Sequence, residues 1–368
     1  MNISASENPA SETSIKVMLV DDSAVIRGAL GRIIDECPDT HVAASIANGE
    51  LAIEASRKHQ PDVVILDIEM PVMDGLTALP KILEASPDTK VVMFSSLTES
   101  GADETLKAFS LGAVECIVKP SSAQGTNFEF QDKLLSMIKN LVPQPKAAKP
   151  QQNTATATAV ATPPAEPITL RSGPTVYQAK PAILAIGSST GGPQALFEVI
   201  KHFKDFDIPI VITQHMPATF TTILAQHITQ QTGVEAFEAE QGMRVEAGKI
   251  YVAQGGLHMK ILKDDNGLYT HLDDGPPEKF CKPSVEPMFR SVIDLFNGKV
   301  YGLILTGMGH DGIDSGKLLA EAGGKLLAQD EATSVVWGMP GAVARAGLCT
   351  DVLPLQEIGP HIRKAVLG

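Results

Sequence analysis

The sequence predicts an α/β protein: two doubly wound parallel-sheet domains joined by a flexible linker. Three observations carry this expectation. Short β-rich runs alternate with helical spacing in both halves of the chain, the pattern of a parallel sheet with helices on its faces. The length of 368 residues, at about 150 residues per domain, suggests two domains or three. One abrupt change of composition, at 143–181, separates the halves.

In the first half, 16–20 (KVMLV), 63–66 (VVIL), 91–94 (VVMF) and 114–118 (VECIV) read as buried parallel strands, with 41–47 a weaker fifth. Helical spacing falls between them at 24–35, 49–59, 76–85 and 104–111. The separating segment holds eight prolines in 39 residues and only five large apolar or aromatic ones. It cannot bury enough surface to offset its ordering entropy, so a linker is expected over 141–181, with its last ten residues the part most able to pack. The competing reading is an ordered loop wrapped on one domain. The polar residues 1–14 are expected to be a disordered tail. In the second half, strands are expected at 182–186, 208–213, 250–253, 301–305 and 325–327, and helices at 193–202, 219–230 and 315–322. Residues 257–274 read as a hairpin turning at 264–267. The domains are therefore placed at 15–140 and 182–368.

Thirty basic against 43 acidic residues leave a net charge of −13, which disfavours a nucleic-acid-binding output. The cysteines, Cys37, Cys116, Cys281 and Cys349, lie far apart with no C-x-x-C pair, so neither a zinc site nor a disulfide framework is expected. The N-terminus has no apolar signal core, and no run of 18 apolar residues occurs. A cytoplasmic protein without membrane insertion is the expectation.

Ligands of open α/β sheets sit at the carboxyl ends of the strands. In the first half those ends carry Asp21 and Asp22, then Asp67, Ser95 and Lys119. Each alone is bland, since an aspartate at a strand-helix junction is often a helix cap. Together they bring three carboxylates to one rim, which is unfavourable without a cation. Few hard oxygen ligands suit Mg²⁺. With Lys119 to offset charge, the set could accept a phosphoryl group on Asp67.

In the second half, 183–193 (ILAIGSSTGGP) runs from an apolar strand through glycines into a helix. Such a turn can cradle a phosphate. It also fits G-x-S-x-G, a nucleophile elbow, in a register that selects Ser189 and leaves Ser188 in support. The dinucleotide fingerprint fits poorly, because the glycine spacing is wrong. A nucleophilic serine needs a base, and the next strand ends at His215, on the same sheet edge. The strand YGLILT leads to Asp311, completing Ser, His and Asp from three strand ends. His310 competes as base, and Asp314 and Asp330 compete as acid. His202, His227, His258, His271 and His361 read as surface or packing residues, and His41 and His59 belong to the other domain.

Residues 15–140 resemble the receiver domain of two-component response regulators. The match lies in Asp21-Asp22, in VVILDIEMPVMDG around Asp67, in Ser95, and in the VKP of Lys119. Residues 182–368 resemble the catalytic domain of the chemotaxis protein-glutamate methylesterase (CheB) family, through AIGSSTGGP, ITQHMP, CKPSVEPMF, LTGMGHDG and AQDEATSVVWGMP. The resemblance implies a flavodoxin-like receiver followed by a Rossmann-like catalytic domain. It implies Asp67 as phosphoacceptor, Ser95 and Lys119 as switch residues, and Mg²⁺ held by Asp21, Asp22, Asp67 and the backbone carbonyl of Glu69. In the second domain it implies Ser189 as nucleophile, His215 as base, Asp311 as orienting acid, and an oxyanion hole that includes the Met308 backbone with Thr190 nearby. Ser188 stands where the family usually has alanine. The activity implied is hydrolysis of glutamate γ-methyl esters on chemoreceptor cytoplasmic domains, with glutamine deamidation beside it and no cofactor for the hydrolysis. A histidine kinase is the implied phosphodonor, with phosphorylation relieving inhibition. The alternative class is a receiver fused to a non-catalytic anion- or protein-binding module.

Overall fold

The computed structural model describes residues 14–96, 98–120, 128–142, 168–171 and 180–368. The chain divides into two compact units, Met1–Gln144 and Pro145–Gly368. Most of the expected tail and linker lies outside the described residues.

The first unit is a parallel sheet in the order β2-β1-β3-β4-β5, built from Ile15–Val20 (β1), Thr40–Ile46 (β2), Val63–Asp67 (β3), Lys90–Ser95 (β4) and Glu115–Val118 (β5). β3 is buried along its whole length, as its run of β-branched residues requires. The helices are Ala24–Asp35 (α1), Gly49–His59 (α2), Gly75–Ala85 (α3), Glu99–Ser110 (α4) and Phe128–Leu141 (α5). Ser23, Asn48 and Asp74 cap the first three by accepting hydrogen bonds from backbone N–H groups in the first turn. α4 starts five residues before its expected start at 104, because Thr98 caps it through Gly101 N.

The second unit is a seven-stranded parallel sheet in the order β14-β13-β12-β6-β7-β9-β8. Its strands are Ile183–Ser188 (β6), Ile210–Gln214 (β7), Ala236–Glu238 (β8), Ile250–Val252 (β9), Val300–Ile304 (β12), Lys325–Gln329 (β13) and Asp351–Leu353 (β14). The hairpin His258–Asp264 (β10) and Gly267–Asp273 (β11) turns where the sequence placed the turn, with Asp264 opposite Gly267. Helices Gly192–Ile200 (α6), Ala218–Thr232 (α7), Val285–Phe296 (α8), Ile313–Glu321 (α9), Met339–Arg345 (α10) and Leu355–Leu367 (α11) complete the unit.

α8 carries a strong apolar face, and its Val285, Met288, Phe289 and Val292 are fully buried against the sheet. The sequence reading missed it, because Pro283 and Pro287 look like breakers. Pro283 precedes the Ser284 cap, and Pro287 lies in the first turn, where a helix needs no N–H. Part of the expected linker packs on this unit, and of its last ten residues 172–179 lie outside the described residues while Pro181 is buried. Arg171 N donates to the Cys349 carbonyl at 2.8 Å, and the guanidinium donates to the carbonyls of Ala320 and Gly324. No helix among the described residues is long and apolar enough to cross a membrane.

Candidate functional sites

At the carboxyl edge of the first sheet, Asp21 and Asp67 are buried and Asp22 is exposed, and one oxygen from each lies within 4.8 Å of the others. Lys119 Nζ stands 2.6 Å from Asp67 Oδ1 and 3.3 Å from Asp21 Oδ2. Burial pushes the Asp67 carboxyl up to about 6, while its hydrogen bond from Lys119 works against that rise. Asp67 Oδ2 is buried without a hydrogen-bond partner, and Asp21 Oδ2 is buried with only the 3.3 Å ion pair to Lys119. Under-satisfied buried oxygens beside a third carboxylate fit a small hard cation. Glu69 N donates to Asp67 Oδ1 at 3.3 Å. Ser95 is buried, and its hydroxyl donates to the Gly101 carbonyl at 3.0 Å rather than meeting Asp67.

In the second unit, β12, β6 and β7 are adjacent and parallel, so the residues after their carboxyl ends share one edge. Ser189 follows β6, His215 follows β7, and Asp311 closes the loop after β12. The turn around Ser189 needs its glycines. A Cβ on Gly187 would lie 2.6 Å from Val285 Cγ2. Gly191 has φ +74°, and a Cβ there would meet Val335 at 2.6 Å. Ser188 is fully buried and donates to Gln214 Oε1 at 2.6 Å, which makes it structural. Ser189 is half-buried, and its carbonyl accepts from Gly192 N at 2.7 Å and Gln214 Nε2 at 2.9 Å.

His215 Nε2 and Asp311 Oδ2 are 2.7 Å apart. Asp311 is 2% exposed and also accepts from Ser284 Oγ at 2.8 Å and Val285 N at 2.7 Å, at the N-terminal end of α8. Burial alone would raise the Asp311 carboxyl, but the His215 hydrogen bond and these donors hold it below the usual aspartate value. Burial alone would lower the His215 imidazole, yet its bonds to Asp311 and Cys281 raise it to about 9. The other ring nitrogen, Nδ1, faces Cys281 Sγ at 3.4 Å, and no hydrogen bond joins it to Ser189 Oγ. The structure thus brings His215 and Asp311 into direct contact and places Ser189 on the same sheet edge, with no hydrogen bond from it to the ring.

Met308 and Thr190 flank this edge. Gly307 is packed so closely that a Cβ on it would lie 2.8 Å from Ser189 Cβ. The Thr190 carbonyl accepts from Thr306 Oγ1 at 2.9 Å. The competing residues have other work. His310 is exposed. Asp314 pairs with Lys279 at 2.6 Å, and Asp330 accepts from Thr333 N at 3.0 Å within its own turn.

Residues 184–362 match the family model of the CheB methylesterase, and residues 17–126 match that of the response regulator receiver domain. A protein-glutamate methylesterase/protein-glutamine glutaminase of Azospirillum brasilense is 49% identical over 95% of this chain and 92% of its own length. The chain belongs to the CheB methylesterase family.

A second member, from Paramagnetospirillum magneticum, is 48% identical over 98% of both chains. Among solved structures, the Thermotoga maritima CheB methylesterase catalytic domain aligns over 50% of this chain and 99% of its own, at 34% identity and a TM-score of 0.49.

Several residues of this CheB methylesterase edge escaped sequence reading. Glu286 is buried, and its carboxylate accepts from Gly312 N, Asp314 N and Ser315 N at 2.7–3.0 Å, clamping the loop that carries Asp311. Gln214 braces both Ser188 and the Ser189 carbonyl. His258, one of the histidines expected at the surface or in packing, is buried, accepts from Ser284 N at 3.1 Å and contacts the Pro276 carbonyl at 2.9 Å, holding the α8 cap. The signals present were the segments ITQHMP and CKPSVEPMF, which carried the resemblance but assigned no role to Gln214 or Glu286. The cysteine spacing speaks only to zinc and disulfides, and the contact of Cys281 is with His215, 66 residues away.

Proposed function

We propose that this chain is a phosphorylation-activated protein-glutamate methylesterase of chemoreceptors, with protein-glutamine deamidation as its second activity. The observation that carries the reading is the pairing of His215 with the buried Asp311 on the edge that presents Ser189. Asp311 holds the Nε2 proton, so Nδ1 is the nitrogen available as base. In the reaction, Nδ1 exchanges Cys281 for the Ser189 hydroxyl and takes its proton as Oγ attacks the γ-carbonyl. Catalytic hydrogen bonds that are loose in a free enzyme commonly tighten with substrate bound. Backbone N–H groups around Met308 and Thr190 stabilise the oxyanion, at about 3 kcal/mol per donor. Methanol leaves with the proton from His215, and water then frees the acyl-enzyme. The same steps with ammonia leaving give deamidation.

In the receiver, Asp67 accepts the phosphoryl group from a histidine kinase, and Lys119 balances the added charge. Asp21, Asp22 and Asp67 would hold Mg²⁺, with the Glu69 carbonyl as a further ligand, and the ion would supply charge neutralisation to phosphoryl transfer. Ser95 acts as the switch hydroxyl by leaving the Gly101 carbonyl for the phosphoryl oxygens. Phosphorylation relieves inhibition of the hydrolase, which needs no cofactor of its own.

The test is methanol release from a methylated receptor fragment, with and without acetyl phosphate. Release should rise with the phosphodonor, stay at the basal level in Asp67→Asn, and vanish in Ser189→Ala. Near-wild-type release by Ser189→Ala would refute the nucleophile. A phosphodonor response that persists in Asp67→Asn would refute the regulation.

A further inference from the structure

Cys281 ends a two-residue turn. Glu278 and Cys281 pair through two backbone hydrogen bonds, Glu278 N to the Cys281 carbonyl at 3.1 Å and Cys281 N to the Glu278 carbonyl at 2.9 Å. The residues between them, Lys279 and Phe280, have φ of +50° and +65°. Two successive residues in the left-handed region are the mark of the turns that favour Asn-Gly, and bulky side chains are out of place there. Phe280 is nevertheless 98% exposed, whereas the other exposed large apolar residues described in this unit are at most 45% exposed.

The turn is also pinned. Glu278 makes a two-pronged pair with Arg290 of α8, at 2.7 and 2.9 Å. Lys279 pairs at 2.6 Å with Asp314, three residues beyond Asp311. These contacts tie the turn to the elements that hold Asp311, and its last residue touches the ring of His215. An unfavourable backbone conformation, held from both sides to present a solvent-exposed aromatic beside a catalytic base, is the pattern of a functional constraint. It gives the isolated fold nothing, because Phe280 buries almost no surface.

We propose that Phe280 is a substrate anchor. It inserts into an apolar depression on the surface of the protein substrate, beside the esterified glutamate, and holds the γ-carbonyl over Ser189. This deepens the methylesterase reading and rests on it. A large aromatic is suited to the task, since truncating a central interface aromatic commonly costs tenfold or more in binding. Anchoring by a side chain that points to solvent and does not itself touch the reacting atoms acts on the encounter with a protein and leaves a small ester unaffected.

The test compares wild type with Phe280→Ala and Phe280→Gly, as full-length chains, on two substrates. One is a purified receptor cytoplasmic fragment carrying γ-methyl esters, and the other is p-nitrophenyl acetate, which offers no surface to the turn. On the receptor fragment, kcat/KM should fall at least tenfold, chiefly through KM. On p-nitrophenyl acetate, it should stay within twofold of wild type. The thermal midpoint of Phe280→Gly should equal or exceed that of wild type, because glycine relieves the φ of +65°. A receptor kcat/KM within twofold of wild type would overturn the anchor. An equal loss on both substrates would overturn it too, because the turn would then merely support His215. Wild-type chain that hydrolyses the small ester yet releases no methanol from receptor would overturn the underlying function instead, and the anchor with it.

Discussion

Replacing Asp311 by asparagine tests how the base is set. The carboxylate is buried, 2.7 Å from His215 Nε2, and is the ring's closer partner, with Cys281 Sγ at 3.4 Å from Nδ1. His215 stands at about 9 against an ordinary 6.5, a displacement worth about 3 kcal/mol at 1.36 kcal/mol per unit. At pH 7 the neutral, proton-accepting ring is therefore present in about one molecule in a hundred. In the wild type, kcat/KM should climb about tenfold per pH unit and level off near pH 9. In Asp311→Asn the burial that opposes protonation remains while the pairing charge is gone. The midpoint should then fall well below 9, toward the ordinary 6.5, with the Cys281 contact the partner left to oppose the fall. The plateau should drop by about 10⁴, the loss seen when a triad aspartate is neutralised, because the asparagine no longer stabilises the imidazolium or enforces the tautomer. The assay is the pH dependence of kcat/KM on a small ester. An acidic limb that stays near pH 9 in Asp311→Asn would refute the claim that this carboxylate sets the base.

Other residues give sharper single outcomes. The linkage carries a stability signature as well: a raised imidazole contributes fully below pH 6.5, and that contribution is lost as pH rises through about 9. Urea midpoints should therefore decline over that window in wild type and stay flatter in His215→Gln. Glu286→Gln should destabilise the second unit by about 2 kcal/mol, because a neutral amide cannot accept from all of Gly312, Asp314 and Ser315, and it should lower kcat more than KM. Gly191→Ala should cost stability and activity together, since a Cβ at φ +74° would also meet Val335 at 2.6 Å; wild-type levels of both would contradict the turn geometry. Alkylation with iodoacetamide should stop hydrolysis by capping Cys281 against His215 Nδ1, and Cys281→Ala should be immune. Cys116 and Cys349, which burial pushes up to about 12, should react far more slowly.

How much of this was legible in the sequence depended on whether the signal was local. The central strands of both sheets announced themselves, since runs such as VVIL in β3 are buried on both faces and so read as continuous apolar segments. Strand-end chemistry followed from topology, because parallel strands deliver Asp21, Asp67 and Lys119 to one edge, and Ser189, His215 and Asp311 to another. The edge strands β8 and β14, three residues each, are too short to show a period. α8 was hidden by prolines that its first turn tolerates. Glu286, Gln214 and Cys281 act through partners distant in sequence, and no spacing rule reveals a contact across 66 residues. The orientation of the His215 ring, toward Cys281 rather than Ser189, is a property of packing around Asp311 that the strand order leaves open.

The central claim is that Ser189 attacks with His215 as its base. Labelling the full-length chain with a fluorophosphonate, followed by mapping of the modified peptide, tests it most directly. The account predicts a single adduct on Ser189 that disappears in His215→Ala and survives in Cys281→Ala. An adduct on Ser188 or Cys281, or labelling of Ser189 that is undiminished in His215→Ala, would contradict it.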